Sequence, residues 1–209
     1  MSVTFPITVP TTVFAQSDWR LASGVRSMTI GTRGAVAGVR VTLDQFQISV
    51  ATRNLLRPDL RRWESFFARL EGAFGSFAMT AWHRKWPQAH HGGLAGFNGV
   101  RAISSWNGDG DMVITAPPAG FTITEGDYIE LQNGNARTVV IACDTSTSAS
   151  VVARTVTVRG MVDQATFPAG STVRFYSPTA LFRLAGPPSI PNSFGPSQVL
   201  FEGNQVLFP

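Results

Sequence analysis

Three histidines, a lone cysteine and a few closely spaced carboxylates are the residues of this chain that could do chemistry. His83, His90 and His91 share one stretch, His83–Gly99, from which a transition-metal site could be built. Adjacent His90 and His91 project to different sides, however, and no Cys, Asp or Glu lies close enough in sequence to complete a coordination shell. Asn107-Gly108-Asp109-Gly110-Asp111 has the opening of a calcium loop. Its sixth position is Met112 rather than Gly and its twelfth is Pro118 rather than the bidentate Glu, so a hairpin turn accounts for the same residues. Asp109/Asp111 and Glu125/Asp127 have the spacing to consider for glycoside hydrolysis, which needs two facing carboxyl groups. Both pairs coincide with turn signals, where acids commonly serve as turn residues. Cys143 ends the apolar run Val139-Val140-Ile141-Ala142 and is expected as a buried, inert thiol. Hydrolase elbows, Ser-x-x-Lys, His-Glu-x-x-His and phosphate-cradling glycine loops are missing from the sequence. The expectation is a protein with no catalytic, metal-binding or cofactor-binding residues.

Composition narrows the classes further. The chain has 209 residues, 44% apolar and 14% charged, with 20 Gly and 13 Pro. Such a chain is neither a disordered tail nor highly solvated, and its many Thr, Val and Ser favour short strands and frequent turns. Net charge is +4, and Lys85 is the only lysine among 17 basic residues. The arginines are scattered, and only Arg57–Arg61–Arg62 and His83-Arg84-Lys85 approach the patch that a nucleic-acid binder concentrates. One cysteine excludes an intramolecular disulfide. The N-terminal stretch has no basic n-region and is interrupted by Pro6 and Pro10, so it does not read as a secretory signal. No window reaches the length of a membrane-spanning helix, and no membrane span is expected.

Leu55–Gly75 is the one convincing helix. Pro58 suits a first turn, and Leu60, Trp63, Phe67 and Leu70 recur at spacings of three and four, with Phe66 widening the stripe to a face. The helix is expected over 58–72, ended by Gly72 and Gly75, with its aromatic face buried on a sheet. Everything else reads as strand. Residues 1–18 form an extended edge strand or arm closed by a turn at Gln16-Ser17-Asp18. Trp19–Ile30 and Gly38–Val50 follow as strands around a flexible loop at Gly31–Gly38, the second changing phase near Asp44-Gln45. Gly75–Trp82 is the strand after the helix.

From His83 the character changes. His83–Gly99 reads as a long loop. Then come short strands at Val100–Trp106, Met112–Thr115, Tyr128–Leu131, Thr138–Ala142, Val151–Val158 and Ser171–Tyr176, with a hairpin signal at Asn133-Gly134-Asn135. Strands of that number and size suit a small barrel like the oligomer-binding (OB) fold. Leu181–Leu184 reads as a return to the first module, Pro187–Pro196 as a bend, and Gln198–Phe208 as a terminal hairpin turning at Glu202-Gly203-Asn204. The fold expected is therefore mainly β: a β domain with one helix (1–82 plus 178–209) carrying an inserted small β-barrel or sandwich domain (89–176).

Aromatic residues are the remaining signal. Trp82, Trp86, Phe97 and Trp106 crowd into and around the His83–Gly99 loop. There they would pack a junction or subunit interface, or stack on a sugar or base.

Trp63-Glu64-Ser65-Phe66-Phe67-Ala68-Arg69-Leu70-Glu71-Gly72, followed by Phe74-Gly75-Ser76-Phe77, resembles the helix-plus-strand segment of tailed-bacteriophage minor tail proteins of the distal tail protein group. Trp19, then Val39–Val50, then Trp63–Phe77 succeed one another as that group's elements do. Gly126-Asp127-Tyr128-Ile129-Glu130-Leu131, Ala136-Arg137-Thr138-Val139 and Ser177-Pro178-Thr179-Ala180-Leu181-Phe182-Arg183-Leu184 resemble its inserted domain and return strand. The resemblance implies a β-sandwich-like ring domain and a structural rather than catalytic role. The ring, usually a homo-hexamer, sits at the tail tip of a virion with a long non-contractile tail. It would be made in the host cytoplasm, would join the tail tube protein to the hub and tip proteins, and would see DNA only as passing cargo. A carbohydrate- or receptor-binding module using the 82–106 aromatics on a host-surface glycan is the alternative expectation.

Overall fold

The computed structural model describes residues 5–10, 14–22, 25–30, 35–40, 44–72, 74–108, 110–148, 152–190 and 197–209. Along the first part of the chain lie β1 (Ile7–Thr8), β2 (Phe14–Ala22), β3 (Val25–Ile30), β4 (Ala35–Arg40), β5 (Gln45–Thr52), α1 (Arg57–Leu70) and β6 (Phe77–Thr80). Two single 3₁₀ turns, Trp82–Arg84 and Gln88–His90, lead on to β7 (Val100–Trp106), β8 (Asp111–Ile114), β9 (Thr122–Ile123), β10 (Tyr128–Asn133) and β11 (Ala136–Ala142). The remainder comprises β12 (Ser146–Thr147), β13 (Arg154–Gly160), β14 (Thr172–Arg174), β15 (Thr179–Leu184) and β16 (Leu200–Val206). The fold is mainly β with one α-helix among the described residues.

Six strands form a mixed sheet in the order β1-β6-β15-β16-β5-β2, in which only the β1–β6 pair is parallel. Its inward face carries Trp19, Phe46, Ile48, Phe77, Phe182 and Phe201, all buried. In a sandwich a second sheet would cover that face; here α1 covers one end of it and the barrel wall the other. All five stripe residues of the helix are buried, with Trp63 5.4 Å from the ring of Phe201 and Phe66 5.9 Å from Phe77. Burying each such side chain contributes about 1.5–3 kcal/mol, which is why the stripe, and not the helix's intrinsic propensity, holds it in place. Pro58 lies in the first turn as expected, but the helix stops two residues earlier than its glycines suggest. Glu71 already adopts the left-handed conformation (φ 50°) and donates its N–H to the Ala68 carbonyl, and Gly72 (φ 71°) follows it.

Six further strands close into an antiparallel barrel, β10-β11-β13-β8-β7-β14, lying in sequence between β6 and β15. Its interior holds Ile103, Met112, Ile114, Ile129, Leu131, Val140, Val156, Val158, Val173 and Phe175. The β10–β11 hairpin turns where its sequence signal lies, with Asn133 opposite Ala136 and Gly134 at φ 56°.

Three expected turns and loops prove to be strand. Gln16-Ser17-Asp18 runs straight through β2, with Ser17 opposite Val50 and Asp18 opposite Ser49; a register shift between Phe14 and Gln16 absorbs the irregularity. Polar turn-forming residues are tolerated there because their side chains alternate out of an edge strand. Glu202-Gly203-Asn204 runs through the sheet-interior strand β16, paired to both β15 and β5, so the chain ends in one strand and not a hairpin. Gly203 answers to packing: a Cβ there would lie 3.2 Å from the Arg183 carbonyl, Ile48 and Phe77. The stretch read as the Gly31–Gly38 loop contains most of β4, which pairs with β3 from Val25–Arg40 to Ile30–Ala35 as a separate ribbon, so Trp19–Ile30 and Gly38–Val50 each divide into two strands. Residues 31–34, 41–43, Asp109, Val151 and 191–196, on which parts of the expected loop, turn, strand and bend fall, lie outside the described residues.

Candidate functional site

Several of the groups singled out for chemistry are engaged in packing and hydrogen bonds in and around the barrel. His90 Nε2 accepts the Thr122 N–H at 2.7 Å, and its ring stacks on Phe121 at 5.0 Å with an 11° interplanar angle. That nitrogen's lone pair is used, so the residue acts as a strut rather than a ligand. His83 packs its ring 6.3 Å from Trp19 and 5.7 Å from Tyr128. Burial, then the neighbouring Arg84, lower its pKa below the usual 6.5, and Asp18 opposes them. His91 is exposed. Among the described residues no three His, Cys, Asp or Glu come together in a way that could hold a metal ion.

Asp111 and Asp127 are occupied as well, while Asp109 lies outside the described residues. Asp111 Oδ1 accepts from Thr157 Oγ1 at 2.8 Å. Asp127, buried, accepts the Gln88 N–H through Oδ1 (2.9 Å) and the Thr124 N–H through Oδ2 (2.8 Å). Each therefore serves as a backbone or side-chain acceptor. Cys143 is half-buried, not buried: it follows the end of β11, where the alternation that hides Ala142 turns its neighbour outward. Desolvation nonetheless raises its thiol pKa, so the thiolate is disfavoured.

The four loop aromatics do not form one platform. Phe97 is 7% exposed inside the barrel core, 4.7 Å from Phe121, with the Arg101 guanidinium 4.4 Å above its ring. Trp86 is half-buried edge-on to Tyr176 at 4.8 Å. Trp106, also half-buried, donates Nε1–H to the Phe167 carbonyl at 2.8 Å. Trp82 alone shows most of its ring, at 56% exposure. The helix residues Leu60, Trp63, Phe66, Phe67 and Leu70 are core, as their spacing predicts.

The feature that sequence reading missed is the sheet's outward face. Pairing registers place Asp18, Ser49 and Glu202 on one rung across β2, β5 and β16. Arg20, Gln47, Asn204 and Arg183 form the next rung across β2, β5, β16 and β15. A groove of about 470 Å³ runs over these rungs. No hydrogen bond or ion pair joins the two rungs among the described residues; Asp18 Oδ2 instead accepts from Gln16 Nε2, and Arg183 Nε is buried. Period-two alternation in Gln45–Val50 carries the signal for β5; which strands lie beside it does not show in local sequence. No protein-family model and no curated protein matches the chain. No helix among the described residues is long and apolar enough to cross a membrane.

Chemically the face offers amide, hydroxyl, carboxylate and guanidinium groups.

Proposed function

We propose that the chain is a structural subunit of a phage tail: one copy of the distal ring that joins the tail tube to the hub and tip. The observation that carries this reading is a six-stranded sheet that, among the described residues, is open at both ends, with the nine-residue β2 at one edge and the two-residue β1 at the other. Unpaired strand edges are templates for pairing with another chain. Two different edges on one sheet make a head-to-tail contact, which closes into a ring when the rotation between copies allows. The polar outward face, nearly balanced in charge between Asp18, Glu202, Arg20 and Arg183, suits the wall of a passage better than a gripping surface for DNA. The resemblance of Trp63–Phe77 and the later segments to distal tail proteins points the same way.

Light scattering of the purified protein, followed by negative-stain imaging of the largest species, tests the reading. Closed rings with a central hole are expected. A monomer at every concentration, alone and with tube and hub proteins, sinks it.

A further inference from the structure

Residues 81–99 carry the chain out to the barrel and residues 175–178 bring it back, a two-fold crossing in which hinge motion is the default expectation. Here both connections are tied down by side chains, of which Asp127 and Glu130 are buried. On the outbound side Asp127 takes the Gln88 N–H, Gln88 Nε2 donates to the Glu125 carbonyl at 3.0 Å, and Arg84 donates to the Gly126 carbonyl. On the return side Glu130, 2% exposed, accepts the Thr179 N–H through Oε2 at 2.9 Å. Its Oε1 lies 3.2 Å from Arg137 Nε, a contact of charge rather than of hydrogen-bond geometry. The two connections also bind each other, Ser177 N–H to the Lys85 carbonyl at 2.7 Å and Ala81 N–H to the Pro178 carbonyl at 3.0 Å. Ser177 holds φ 51° in doing so, a conformation that persists in a non-glycine residue only when its surroundings over-determine it.

The third tie comes from the sheet. Gln205 of β16, 1% exposed, donates Nε2–H to Thr138 Oγ1 (2.9 Å) and the Val139 carbonyl (3.2 Å) of barrel strand β11, while its Oε1 accepts the Phe46 N–H of β5 at 2.9 Å. Between the ties Tyr128 of β10 meets Phe46 at 5.1 Å and Trp19 at 6.1 Å. We propose that Asp127, Glu130 and Gln205 together lock the sheet and the barrel into one rigid lever, so that a load on the barrel is passed to β15, β16 and β5 instead of being absorbed at a hinge. This inference rests on the joint alone and stands or falls independently of ring formation.

Pulsed electron-electron resonance on the full chain tests it, with spin labels at the exposed Ser65 (α1) and Thr155 (β13) after Cys143→Ser removes the native thiol. A single narrow distance distribution is expected. The combined Asp127→Ala, Glu130→Ala and Gln205→Ala change should at least double its width. Glu130→Gln, which keeps an oxygen for the Thr179 N–H, should leave it narrow. A broad or two-peaked distribution in the parent overturns the proposal, as does an unchanged narrow one in the triple variant. Should the triple variant not fold, hydrogen exchange on the parent decides: the amides of Gln88, Thr179 and Phe46 should be protected like the ladder amides of β15. Exchange of those amides at loop rates overturns the lock.

Discussion

The sheet and the barrel solve the same problem, burying a β surface, in opposite ways. The barrel closes on itself and leaves no edge; its strands line the interior mostly with Ile and Val, which fit a pleated wall, and Phe97, Phe121, Phe167 and Phe175 from outside the strands complete the filling. The sheet stays open, and its inward face is filled by large rings: Trp19, Phe46, Phe77, Phe182 and Phe201, capped by Trp63, Phe66 and Phe67 from α1. Many aliphatic side chains share the packing along the barrel wall. A few large ones concentrate the stability of the sheet in single residues. The same openness leaves one face and two edges uncovered among the described residues, and the ring proposed above would draw its contacts from them.

The contrast is sharpest at Trp63, which is fully buried and touches Phe14, Phe66, Phe67 and Phe201. Trp63→Ala should cost about 3–5 kcal/mol in chemical denaturation. A loss below about 1 kcal/mol would mean that the helix is an accessory to the sheet rather than its cap. Next in size is a pair of glycines. Gly203→Ala in the sheet should cost about 1–3 kcal/mol through overpacking against Ile48 and Phe77, and Gly203→Asn more. Gly134→Ala in the barrel hairpin meets no atom within 4 Å and is disfavoured only by its φ of 56°, roughly 1–2 kcal/mol. There Gly134→Asn should recover part of the loss, since Asn tolerates the left-handed region. Equal responses to Asn at the two sites would erase the distinction.

The smallest effect expected is a pH slope at Glu130, which sits between the two regions. Burial raises its carboxyl pKa, against Arg137, the Thr179 N–H and Arg174, which lower it. A carboxyl whose folded pKa is raised contributes stability that is complete below its unfolded value and lost as pH rises through the folded one. Tm should therefore fall as pH rises above the ordinary value of 4.5, and Glu130→Gln should flatten that fall. An identical slope in the variant would place the titration elsewhere.

The helix was legible because Leu60, Trp63, Phe67 and Leu70 repeat at helical spacing within one uninterrupted stretch. The barrel was legible as a run of short strands separated by glycine turns. Legibility failed where a residue's local preference is overruled by distant neighbours. Gln16-Ser17-Asp18 and Glu202-Gly203-Asn204 favour turns in isolation, yet pairing with β5 and β15 fixes them as strand. Among the aromatics, nothing within residues 82–106 says that Phe97 enters the barrel while Trp82 stays out. That depends on Phe121, Phe175 and Tyr176, far along the chain. The outward rungs were hidden for the same reason, since each draws on strands from both ends of the sequence.

Gln205 sets a rule for recombination. Its amide is spent in both directions, one half on the sheet and the other on the barrel. Glutamate could not donate there and leucine could do neither. A crossover that exchanged only the barrel segment would strand this amide opposite an unrelated wall. Shuffled descendants that remain intact should therefore inherit Thr138 and Gln205 together, although 67 positions separate them.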